Sequence, residues 1–157
     1  LGFADAPLSE KEPYIIRYAG MIDNWAECDC FCSCIKVKKS EEDALRLLSE
    51  SLMKQKEEFV SRVGIVLMFS KFSDEPTVKK ALDIYDTLPC GEYYRDMAVA
   101  WGISVYCVKY PELITTYLEH SPLSITVKLM AAQKIRDSRR ISDEVKRRVT
   151  DTVNAQR

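Results

Sequence analysis

Helix-start signals recur along this chain at a spacing of roughly 35 residues, near positions 41, 76 and 111, and each is followed by room for a second helix. Ser40-Glu41-Glu42-Asp43 reads as a Ser cap with acid in the first turn, opening a helix with Ala44, Leu45, Leu48 and Leu52 on one face. Ser73-Asp74-Glu75-Pro76 opens the next unit, with Val78, Leu82 and Tyr85, and Pro111-Glu112 a third. Asn24 caps an earlier helix running from Trp25 to about Ile35, and Pro13 to Met21 reads as a short apolar helix before it. Partner helices follow from Glu57 or Glu58 to Phe72, from Glu92 to Tyr110, and from Ser124 to Asp137. Ser142-Asp143-Glu144 caps a last basic helix. In the Glu92–Tyr110 segment Tyr94, Met97, Ala98, Trp101, Val105 and Val108 fall at steps of three and four and predict a buried stripe.

Sheet is disfavoured, because only five residues are Gly and neither Asn-Gly nor Asp-Gly occurs. The expectation is an all-α chain of HEAT-like helix pairs stacked as a solenoid, with an irregular helical bundle as the alternative. Residues 1–12 read as a flexible segment and 13–157 as the helical domain. No apolar run nears the ~18 residues of a membrane span. Leu1-Gly2-Phe3-Ala4 carries no basic region followed by an apolar core, so no signal peptide is expected and the chain reads as cytoplasmic.

A net charge of −1 argues against a general polyanion binder. Its distribution is uneven: residues 128–157 hold nine Lys/Arg against four Asp/Glu, which leaves a net −6 on the rest. That basic end is either a solvated Arg-rich helix or an electrostatic footprint for phosphates. The single His, His120, supports neither a metal cluster nor a His-based triad and reads as a surface residue. Cys28, Cys30, Cys32 and Cys34 alternate on one helix, which cannot wrap four thiolates around one zinc ion. Small buried apolar side chains account for them better than a metal site or disulfides.

Trp25 and Asp29 lie four apart on one helix face, so ring and carboxylate stack. With Cys28 and Cys32 flanking that face, Asp29 is expected to be partly buried and to need a cation. Arg62, on the most apolar helix of the chain, is the candidate. A core Trp beside a surface Asp is the plainer alternative, and core packing is the plainer account of Trp101.

Ile22-Asp23-Asn24-Trp25-Ala26-Glu27-Cys28-Asp29, Phe59-Val60-Ser61-Arg62-Val63, Tyr93 to Trp101, and Gln133 to Ser142 together resemble the AlkD-like DNA alkylation repair family of HEAT-like solenoids. The resemblance covers about residues 13–148. It implies a monofunctional glycosylase that excises cationic N3- and N7-alkylated purines from duplex DNA, as a monomer, without metal or organic cofactor. The family also has further helices ahead of the segment matched here. Residue by residue, Trp25, Asp29, Arg62 and Trp101 fall on the lesion-site pattern, with Asp29 as the catalytic carboxylate and Arg62 gripping a phosphate. Lys134, Arg136, Arg139 and Arg140 would hold the DNA backbone. The competing expectation is a non-catalytic helical scaffold for DNA or a protein partner.

Overall fold

The computed structural model describes residues 6–157. Within them the chain is all-helical: α1 Leu8–Ala19, α2 Trp25–Cys34, α3 Glu42–Met53, α4 Glu58–Lys71, α5 Glu75–Tyr85, α6 Tyr93–Cys107, α7 Pro111–His120, α8 Ile125–Asp137 and α9 Asp143–Asn154, with one 3-10 turn, Lys39–Glu41. None of the helices among the described residues is long and apolar enough to cross a membrane.

Most starts lie where the capping chemistry places them. Asn24, Asp74, Ser124 and Ser142 each accept a backbone N–H three residues on, which satisfies one of the orphan donors of a first turn. Pro111 occupies the first turn of α7, where its missing N–H costs nothing. Two starts differ from expectation. The first helix begins at Leu8, so residues 8–12 are regular helix and not a flexible lead, whereas residues 1–5 of that segment lie outside the described residues. Pro13 sits inside α1, with Leu8 and Ile15 buried on either side of it. Ser40 caps nothing: it lies in the 3-10 turn, and α3 starts at Glu42. Glu41 supplies the hydrogen bonds instead. Its carboxylate accepts from Lys38 N at 3.0 Å and, 33 residues away in sequence, from Leu8 N at 2.7 Å. It therefore serves the first turn of α1 and the 3-10 turn at once.

The chain divides into two compact units, one ending at Phe72 and the other spanning Ser73–Arg157. In the first, α3 packs along α4, α2 lies against α4, and α1 touches both α3 and α4. Leu45, Leu52, Met53, Val63, Leu67 and Met68 are at its centre. Gly64 sets the approach of α3 to α4. A Cβ there would come within 2.7 Å of Ser49 O and 2.8 Å of Leu52 C, and closer still to Met53 N. Ser61 Oγ donates to Met53 O across the same contact at 2.7 Å. Cys28 and Cys32 are buried beneath α2 as expected, and all six cysteines are free thiols.

In the second unit α6 packs against α7 and α8, and α9 against α7 and α8. Its core gathers Val78, Tyr85, Ala98, Ile103, Ile114, Ala131 and Val149. The stripe predicted on α6 is turned. Ala98 is buried as expected, but Tyr94 is exposed and Met97, Trp101, Val105 and Val108 are half-buried. The buried face runs instead through Arg95, Val99, Gly102, Ile103 and Tyr106. The helix is apolar on two faces, so spacing alone could not choose between them. Ala98 and Gly102 are buried on the face that also carries Arg95.

Candidate functional site

In the first unit the Asn24 side chain starts α2 by accepting from Glu27 N at 2.9 Å. Glu27 in turn accepts Tyr18 Oη–H from α1 at 2.5 Å, and the Tyr18 ring lies 4.7 Å from that of Phe31. The hydrogen bond from Tyr18 to the Glu27 carboxylate raises the phenol's pKa, with burial adding to the shift. The start of α2 is thus fixed to α1, and that start carries Trp25. The indole is 56% exposed, so it is a surface ring rather than a core one.

One turn on, Asp29 meets Arg62 of α4. Arg62 Nη2 donates to Asp29 Oδ1 at 2.9 Å and to Oδ2 at 3.0 Å, and Nε donates to Oδ1 at 3.3 Å. The expected partnership is therefore present. The two groups are unequally placed: the Arg62 side chain is 4% exposed and that of Asp29 22%. Anything arriving from solvent meets the carboxylate and the indole first, and the guanidinium lies beneath. Stripping one partner from a buried pair of this kind costs about 3–5 kcal/mol, because the other charge is left in low dielectric.

Asp29 lies against Cys32 as well. The Cys32 thiol is pushed far above its ordinary pKa, first by a hydrogen bond with Cys28, then by burial, with Asp29's charge adding to it. Cys32 therefore does not act as a thiolate here. Cys30 is exposed and Cys34 half-buried, so burial accounts for Cys28 and Cys32 and not for Cys30. Among the described residues no three His, Cys, Asp or Glu side chains gather as metal ligands would.

The second unit holds the other candidates. Trp101 is half-buried on α6, which packs on α8. Lys134 is half-buried and Arg136 exposed in the last turns of α8, and Arg139 and Arg140 are exposed in the turn that follows. Arg136 is held by Gln133 of its own helix and by Thr150 of α9 at 3.4 Å. The four cations thus share one end of α8 and its exit turn. His120 is a surface residue, its side chain 70% exposed.

Sequence reasoning missed two buried cations. Arg95 on α6 is 1% exposed, with Nη1 2.6 Å from Glu92 Oε2, and Lys128 on α8 is 4% exposed, with Nζ donating to Gln156 Oε1 at 2.6 Å. Burial lowers the Lys128 pKa, and the nearby Asp86 carboxylate opposes that shift. The signal that could have found them is a fixed offset. Asp29, Arg62, Arg95 and Lys128 follow one another at steps of 33, one on each of α2, α4, α6 and α8.

Compared with protein-family models, with curated proteins and with solved structures, the chain matches none.

Proposed function

We propose that this chain is a HEAT-like helical-repeat DNA glycosylase that hydrolyses the N-glycosidic bond of cationic N3- or N7-alkylated purines in duplex DNA, as a cytoplasmic monomer without metal or organic cofactor. The repeat reading draws support from helix starts at 42, 75, 111 and 143, and from packing between helices two apart in sequence inside each unit. The catalytic reading rests on one observation: an exposed indole, Trp25, one turn from a partly exposed carboxylate, Asp29, that a buried guanidinium holds in place.

The chemistry suits that set. An alkylated purinium leaves with the electrons of the C1′–N bond and becomes neutral, so no strong acid is required. Positive charge passes to the sugar, where a fixed carboxylate stabilises it and accepts a proton from the attacking water. The Trp25 face adds cation–π attraction to the charged base, about 0.5–2 kcal/mol. On the same reading Trp101 supplies a second ring, while Lys134, Arg136, Arg139 and Arg140 hold phosphates and make binding salt-dependent. The test is release of 7-methylguanine from alkylated duplex DNA. Asp29→Asn is expected to lower release 10²–10³-fold, on the order of 3–4 kcal/mol of barrier, with DNA binding retained. No release by the unaltered protein overturns the assignment.

The second reading is a non-catalytic helical scaffold for DNA or a protein partner. It is favoured by the Asp29–Arg62 bond itself, since two charges that satisfy each other need no substrate to explain them.

A further inference from the structure

Arg62 has two possible duties next to Asp29. It could leave the carboxylate and take a phosphate, or it could stay and act through the carboxylate. Three features of the geometry favour the second. The guanidinium is nearly inaccessible, whereas the carboxylate it holds is not. The bond is made by both Nε and Nη2, so the carboxylate is fixed in orientation as well as in position. The two oxygens are also used unequally: Oδ1 accepts from Nε and from Nη2, and Oδ2 accepts from Nη2. Moving Arg62 to a phosphate would expose a buried side chain and strip Asp29 of its partner at the moment when the carboxylate's charge is needed.

Resting on the glycosylase reading above, we infer that Arg62 is a positioning residue: it remains on Asp29 when DNA is bound and leaves Oδ2 as the oxygen that faces the cation and its water. The phosphates are then held by other cations of the chain, and Arg62 makes no direct contribution to DNA affinity.

Two measurements on the full chain decide this. The first compares Arg62→Lys with the unaltered protein in single-turnover excision and in DNA affinity across a salt series. Lys keeps the charge and lacks the fork. The expected result is a fall in excision of about 10- to 100-fold at saturating DNA, with affinity within about twofold and the slope of log K against log salt unchanged. A loss of affinity of about tenfold or more, with excision at saturation intact, makes Arg62 a phosphate ligand and overturns the proposal. The second follows the Arg62 Nε–H resonance in ¹⁵N-labelled protein, assigned by its loss in Arg62→Lys and its displacement in Asp29→Asn. Its position is expected to hold when alkylated duplex DNA is added. A shift on adding DNA toward the position it takes in Asp29→Asn means that the guanidinium has left the carboxylate, and overturns the proposal. The two hypotheses fail separately. A protein that binds DNA without excising a base loses the catalytic reading alone, and the resonance still reports the partner of Arg62. A protein that binds no DNA overturns both.

Discussion

Arg62 and Arg95 stand 33 residues apart, near the starts of α4 and α6, and both are buried. Arg62 reaches to another helix for Asp29, whereas Arg95 meets Glu92 at the start of its own. The same offset links Glu41 to Asp74. Glu41 accepts from Leu8 N at the head of α1, whereas Asp74 accepts from Thr77 N in the helix it caps. It also links Gly64, whose missing side chain lets α3 touch α4, to Met97, a half-buried side chain on α6. Arg62, Glu41 and Gly64 each meet a group on another helix, and in the second unit Glu92 and Thr77 sit beside Arg95 and Asp74 on their own helices. Cross-helix pairing places a charged group of one helix at a chosen point over another.

The largest effect is expected at the helix contact. Gly64→Ala forces a methyl group into backbone atoms of α3 and should destabilise by about 3 kcal/mol or more, whereas Met97→Ala should cost about 1 kcal/mol. Urea unfolding of both variants measures the difference, and equal costs would break the comparison. Next come the two ion pairs. Arg62→Met strands the partly buried Asp29 and should cost about 3 kcal/mol. Glu92→Gln, which removes the carboxylate beside Arg95 at a side chain already 49% exposed, should cost about 1 kcal/mol or less. The smallest effect is pH-dependent. The N–H groups of Leu8 and then of Lys38 hold the Glu41 carboxyl below the usual glutamate range. That contribution is complete above the unfolded pKa of about 4.3 and is lost as pH falls through the lower folded value. Glu41→Gln should therefore flatten the fall of Tm between about pH 5 and pH 3, and an unchanged acid limb would show that the long-range bond carries no weight.

Much of the helix order was legible because first turns have their own chemistry. Asn24, Asp74, Ser124 and Ser142 announce helices whatever lies around them. Ser40 looked equally good and lost to Glu41, because the donor Glu41 serves belongs to Leu8, far away in sequence. Pro13 passed for a helix start because a Pro five residues into a helix resembles one at its beginning. The Asp29–Arg62 bond could be anticipated from the cost of burying a carboxylate, and the exposure of Trp25 could not, since an indole at helical spacing usually packs inward. Arg95 and Lys128 were hidden because a buried cation carries no local mark, and only the offset from Arg62 betrays them.

The bond from Leu8 to Glu41 has a kinetic consequence. It closes a loop of 33 residues that contains the whole of α2, so it forms only after that stretch of chain has been gathered. Helix α1 can elongate within microseconds, yet its leading turn is secured by a contact of high sequence separation. The leading turn of α1 is therefore among the last parts of its unit to set during folding, and it is the first to be released when the 3-10 turn loosens.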